Sequence, residues 1–177
     1  MPSGKTHDAI TLLLAPPTFA AAWGLTRSLW LAGVVTAAML FGGLMFGPDL
    51  DIQSRQYTRW GVFRLLWWPY KVVFRHRSRW SHGIVFGTLI RVVYFALVLS
   101  VVATLAVYLR ASLVAGAAMP AWGEVLHAWN AIREGAAHYG VGTEFALAVF
   151  AGVWWGAASH TLTDVAVSVV RKGSEIF

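Results

Sequence analysis

Four pairs of histidine and aspartate residues could bind a metal ion, and each pair lies beside or within an apolar segment. In chain order they are His7 with Asp8, Asp49 with Asp51, His76 with His82, and His160 with Asp164. The sequence contains no cysteine, so imidazole nitrogens, carboxylate oxygens and water would have to hold the metal. This mixture suits Zn²⁺ best, with Mn²⁺ or Fe as alternatives, and leaves room for one or two ions.

The pair in the fourth apolar segment has the spacing of two ligands on a helix. His160 and Asp164 are four residues apart, which places both side chains on one helical face. An ionisable residue inside a membrane span costs free energy and usually serves a function, so the pair favours metal binding. The alternative is a buried polar pair that joins helices, with Arg91 of the third segment as a partner.

Each remaining pair also has a structural interpretation. Asp49 and Asp51 could form ion pairs with nearby arginines, and His76 and His82 could be interfacial residues in a basic belt. Near the start of the chain, Thr6 or Asp8 could cap the first helix.

The composition predicts a helical membrane protein. Hydrophobic residues make up 58% of the 177 residues and charged residues only 12%, whereas soluble domains are about 45–50% apolar. Apolar segments cover about residues 9–23, 29–47, 84–109 and 145–170, and the last three have the roughly 20 residues that a span requires. The first, which contains Pro16 and Pro17, could be a kinked span, a re-entrant helix or a short span. We therefore predict an all-α polytopic bundle of about four spans, forming one domain over residues 1–177.

The stretch 52–82 is basic and rich in aromatic residues. Its basic residues are Arg55, Arg59, Arg64, Lys71, Arg75, Arg77 and Arg79. No acidic residue follows until Glu124, so the positive-inside rule places this stretch in the cytoplasm. Its interleaved tryptophans are typical of one or two interfacial helices, broken at Pro69, on anionic lipid headgroups. The net charge of +6 is explained by this segment, and no nucleic-acid-binding motif accompanies it.

Four crossings would bring all four pairs of candidate ligands to one membrane face. Both termini and the metal site would then be cytoplasmic, and residues 110–144 would lie on the opposite side. That second loop is nearly neutral and predicts an amphipathic helix around residues 125–137. Its histidines, His127 and His138, are expected to be ordinary surface residues.

Short motifs carry a resemblance to known families over nearly the whole chain. They are Thr6-His7-Asp8, Pro48-Asp49-Leu50-Asp51, His76-Arg77 with Ser81-His82-Gly83, and His160-Thr161-Leu162-Thr163-Asp164. The chain resembles a bacterial family of metal-binding membrane proteins of unknown function, which is similar to inner-membrane metal-dependent hydrolases and, more remotely, to zinc-dependent phospholipase C. Ser81 and Gly83 depart from the hydrolase pattern, which has threonine and serine there. The resemblance implies metal binding in a bacterial inner membrane.

The first functional hypothesis is a metal-dependent hydrolase that acts on a phosphoester or lipid headgroup at the cytoplasmic leaflet. Seven side chains would be metal ligands: His7, Asp49, Asp51, His76, His82, His160 and Asp164. Asp8 would transfer protons, while Arg75 and Arg77 would stabilise the charge that develops on the phosphate. The main alternative is a non-catalytic metal-binding or structural membrane protein, including an accessory subunit of a larger complex. A transporter is less favoured because the ligands lie at one face rather than near the midplane.

Overall fold

The computed structural model describes residues 3–74, 78, 80, 83–114 and 121–174, and within them the fold is entirely helical. This confirms the predicted all-α class. The α-helices are α1 (Gly4–Thr26), α2 (Leu29–Leu44), α3 (Arg55–Thr58), α4 (Trp68–Val73), α5 (Phe86–Val114), α6 (Trp122–His138) and α7 (Thr143–Ser174), and the 3-10 helices are η1 (Pro48–Asp51) and η2 (Gly61–Trp67).

Among the described residues, three helices are long and apolar enough to cross a membrane: α1, α5 as far as Arg110, and α7 as far as Val170. The first two apolar segments differ in length from the expectation. Helix α1 is continuous over 23 residues and contains both Pro16 and Pro17, whereas α2 has only 16 residues and ends at Leu44. At 1.5 Å per residue α2 is about 24 Å long. It is this short because the chain leaves the helix before Pro48 and begins η1.

Glycines set the closest helix contact, which joins α2 and α7. A Cβ atom added at Gly156 would lie 2.1 Å from the carbonyl oxygen of Met39, and one at Gly152 would lie 2.3 Å from that of Val35. Helix α1 packs on α2 where Thr11 meets Gly43, at which an added Cβ would lie 2.5 Å from the threonine methyl carbon. These three helices therefore form a unit in which backbones are nearly in contact.

The basic stretch folds against the start of α5 through a cluster of aromatic side chains. Trp67 and Tyr70 are fully buried there, with Phe46 and Phe95 packed around Trp67 at ring-centroid distances of 5.2 and 5.5 Å. Part of the predicted interfacial layer is thus protein core, while Trp68 is exposed. The expected break near Pro69 is the boundary between η2 and α4, since proline is well suited to the first turn of α4.

The amphipathic helix expected around residues 125–137 is present as α6. It buries Val125 and leaves its polar face free, including the exposed His127 and His138. Helix α5 exposes large apolar side chains along its length, among them Val93, Leu97 and Val101.

Candidate metal centre

Three separate elements bring the candidate ligands together. Ser3 caps α1 by accepting a hydrogen bond from the backbone N–H of Thr6, so the cap lies before Thr6 and Asp8 and leaves His7 in the following turn. Pro48 begins η1 and places Asp49 just beyond the end of α2. His160 and Asp164 lie one turn apart in α7, as their spacing predicted.

The side chains of these elements converge on one small volume. The Nε2 atom of His7 lies 3.3 Å from Oδ1 of Asp164, and the Nε2 atom of His160 lies 3.8 Å from Oδ2 of the same carboxylate. His160 Nε2 is also 3.4 Å from Oδ2 of Asp49. The two imidazole rings are stacked with their centroids 3.7 Å apart, and both histidines are buried.

This arrangement fits a bound metal ion. Potential ligand atoms of His7, His160 and Asp164 all lie within 4.8 Å of one another. Ligands of a tetrahedral zinc ion, at about 2.0–2.1 Å from the metal, are separated from each other by about 3.3 Å, close to the spacings found here. Asp164 Oδ1, the oxygen nearest to His7 Nε2, is buried and makes no hydrogen bond within the described part of the chain, and a cation is one partner that such an atom accepts.

Asp8 lies beside this centre but is engaged by two arginines. Arg59 donates two hydrogen bonds to its carboxylate, at 2.8 and 2.6 Å, and Nη1 of Arg55 lies 3.0 Å from Oδ2. The hydrogen bonds with Asp8 raise the pKa of Arg59 above its ordinary value. Arg59 also donates to the carbonyl of Leu44, so it ties the start of α1 to the end of α2. Both carboxylate oxygens of Asp8 are therefore engaged by arginine side chains, and its role in proton transfer stays a prediction.

Asp51 is the last residue of η1, two positions after Asp49. Its side chain is buried, and it is near enough to the fully buried Arg91 of α5 for electrostatic attraction. Arg91 also donates a hydrogen bond to Thr88 in the preceding turn. Asp51 therefore contributes to the electrostatic environment of Arg91, as Asp49 also does, and metal ligation by Asp51 stays a prediction.

Gln56, which has no distinctive signal in the sequence, also contacts the centre. It is buried, its amide nitrogen lies 3.4 Å from Nδ1 of His160, and its amide oxygen accepts a hydrogen bond from the backbone N–H of Asp49. A glutamine in a basic stretch carries no distinctive signal. The fold also requires glycine at position 47, where an added Cβ would lie 2.1 Å from the Gln56 amide nitrogen.

A cavity of about 170 Å³ opens beside the two histidines. His7, His160 and Asp49 form one part of its wall, and Asp8 and Arg55 form another. Four predicted site residues, Arg75, His76, Arg77 and His82, lie outside the described residues.

These features define an all-helical protein with a histidine and aspartate centre suited to a metal ion. The chain belongs to the family described as uncharacterized metal-binding protein (DUF2227), which matches residues 2–173. This confirms the resemblance to a metal-binding family of unknown function. Searches of curated proteins and of solved structures found no match. The expected similarity to metal-dependent hydrolases and phospholipase C has no counterpart in these comparisons.

Proposed function

We propose that this chain holds a divalent metal ion, best matched by Zn²⁺, between α1, η1 and α7. The ligands would be His7, His160 and Asp164, with Asp49 completing the set. The observation that carries the proposal is the convergence of two imidazole Nε2 atoms on one carboxylate, from residues more than 150 positions apart in sequence. Two imidazole nitrogens and two carboxylate oxygens form a donor set that zinc accepts readily.

We place this centre at one face of a membrane. The support is the length and apolarity of α1, α5 and α7, together with the exposed apolar surface of α5. The basic stretch lies at the same end of the molecule as the centre, since Arg55 and Arg59 contact Asp8. The positive-inside rule then assigns this end to the cytoplasm of a bacterial cell.

The reaction that suits such a centre is hydrolysis of a phosphoester. A bound divalent ion would supply Lewis acidity and activation of water. The side chain of Arg55 is half exposed at the cavity wall and can donate further hydrogen bonds to a phosphate oxygen. Asp8 would hold Arg55 and Arg59 in place. A cavity of about 170 Å³ admits a phosphate group but not a whole lipid, so the remainder of a substrate would lie outside it.

The competing candidate is a metal-binding protein without catalytic activity. It is favoured by the pairing of Asp8 with two arginines, because this leaves no uncommitted carboxylate beside the cavity among the described residues. In that case the metal would connect α1 to α7 and stabilise the fold, as structural zinc does in small domains.

The metal content of the purified full chain tests the first part of the proposal. We expect close to one zinc ion per chain, and loss of most of it in His7→Ala, while the matched exposed-histidine variant His127→Ala retains it. An absence of stoichiometric metal in the wild type, or equal content in both variants, would contradict the proposed centre.

Turnover distinguishes the two candidate functions. The zinc-loaded protein in phospholipid micelles would be assayed with bis(p-nitrophenyl) phosphate, p-nitrophenyl phosphate and phosphatidic acid. Hydrolysis that is lost in Arg55→Gln at unchanged zinc content supports the hydrolase. Full zinc occupancy with no turnover of any of the three supports the non-catalytic protein.

A further inference from the structure

The hydrogen bonds of Gln56 determine which way round its amide group lies. The amide nitrogen is 2.8 Å from the carbonyl oxygen of Gly43, which can only accept a hydrogen bond. The amide oxygen is 3.3 Å from the backbone nitrogen of Asp49, which can only donate one. A rotation by 180° would place two acceptors against each other at one contact and two donors at the other, so this orientation is fixed by its surroundings.

The fixed amide has a consequence for His160. One proton of the Gln56 amide nitrogen serves Gly43, and the second is available to Nδ1 of His160 at 3.4 Å. Nδ1 must then act as an acceptor, and in a neutral imidazole the ring proton resides on Nε2. That proton would lie on the side of the ring nearest the carboxylates of Asp49 and Asp164, whose Oδ2 atoms are 3.4 and 3.8 Å from Nε2.

We propose that Gln56 is the positioning residue of the metal centre, which sets the proton on His160 and thereby the strength of metal binding. A metal ion at Nε2 needs the lone pair of that nitrogen, which requires the proton to move to Nδ1. There it would meet an N–H group of Gln56 instead of an acceptor. Metal binding at this ring is therefore coupled to a rearrangement of the Gln56 amide, at the expense of its bonds to Gly43 and Asp49.

Burial makes this arrangement hard to bypass. Gln56 is only 4% exposed and His160 only 5%, so the surrounding protein leaves both side chains little freedom to reorient, although both line the cavity of about 170 Å³. Gly47 is packed against the amide so closely that any side chain there would displace it. The inference rests on the proposed metal centre for its functional meaning, but the proton position can be measured without metal.

The first test is the tautomer of His160 in the metal-free protein. The full chain with ¹⁵N-labelled histidine, in detergent micelles and treated with a chelator, would be examined by long-range ¹H–¹⁵N correlation, with His160→Ala used for assignment. We expect the proton on Nε2. A proton on Nδ1 would overturn the inference whether or not the protein binds metal.

The second test compares zinc affinity in variants at position 56 by competition with a chromophoric chelator. Glutamate in Gln56→Glu offers His160 Nδ1 a hydrogen-bond acceptor, whereas leucine in Gln56→Leu offers it neither a donor nor an acceptor. The two variants are matched in that both lose the hydrogen bond to Gly43. We expect the Glu variant to bind zinc about 10-fold more tightly than the Leu variant, in the range found for residues that orient metal ligands. Gln53→Glu, an exposed position in the same stretch, controls for the added negative charge and should match the wild type.

The outcomes separate this inference from the proposed function. Zinc binding by the wild type with equal affinities of the Glu and Leu variants would refute the role of Gln56 and leave the metal centre intact. An increase of the same size in Gln53→Glu would show that charge alone is responsible and would also refute that role. No zinc binding by the wild type would instead refute the proposed function, and the tautomer measurement would still decide the inference.

Discussion

The packing of helices α1, α2 and α7 against one another differs from the packing of α5 against the rest of the molecule. In the first three, glycines such as Gly152 and Gly156 bring backbones almost into contact. Helix α5 is instead held by large aromatic side chains around Trp67, and an apolar cavity of about 860 Å³ lies between α2, α5 and α7. The closely packed unit carries His7, His160 and Asp164 of the candidate metal centre, and η1 carries Asp49. Its geometry should therefore depend on backbone contacts and depend little on the position of α5.

The largest effect is expected from a substitution in the aromatic cluster that holds α5. Trp67→Ala removes a fully buried ring at the centre of the cluster, and we expect it to lower the free energy of unfolding by about 4 kcal/mol. Zinc content should be retained under native conditions because the ligands lie on other helices. Denaturant unfolding in micelles measures the first quantity, and Trp68→Ala, at a tryptophan that is 60% exposed, is the control. Loss of zinc from folded Trp67→Ala would show that α5 does determine the site.

A methyl group in the closely packed unit should affect both stability and metal binding. Gly156→Ala forces its Cβ against the carbonyl of Met39, and we expect a loss of about 3 kcal/mol in stability together with weaker zinc binding. Gly33→Ala in α2 is the matched control, because no atom lies within 4 Å of its added Cβ. Equal behaviour of the two variants would contradict the importance of the glycine contacts.

Removal of one ligand should weaken the centre while leaving the helices packed. For His160→Ala we expect zinc affinity to fall by more than about 100-fold, or about 2.7 kcal/mol, since the second imidazole and its contacts with two carboxylates are lost. Competition with a chelator measures this change. The exposed histidine variant His138→Ala should bind zinc as the wild type does, and an unchanged affinity in His160→Ala would place the metal elsewhere.

The smallest effect concerns the ion pair at the edge of the centre. Arg59→Gln removes two hydrogen bonds to Asp8 and one to Leu44, and we expect a loss of about 1 kcal/mol, because the pair is partly screened by solvent. The difference from the control Arg64→Gln, at an exposed arginine, should shrink as salt concentration rises. A difference that does not respond to salt would mean that packing of the arginine, not its charge, connects α1 to α2.

The sequence predicted the all-helical fold and the meeting of distant ligands, because both follow from long apolar segments and simple connectivity. It predicted less well how the stretch after α2 folds. Tryptophans in a basic segment suit either a membrane interface or a protein core, and only packing against α5 distinguishes Trp67 from Trp68. Gln56 could not have been singled out, since its role depends on three partners at separate positions in the chain.

By itself the sequence determined the types of ligand, the cysteine-free chemistry and the helical segments that carry them. The tertiary structure decided which carboxylates contact arginines and which contact the histidines. The fold pairs Asp8 with Arg59, whereas Asp49 and Asp164 lie next to the two histidines. The reason is geometric: residues one or two positions apart point in different directions from the backbone, and the close contact of α2 with α7 determines what each direction meets.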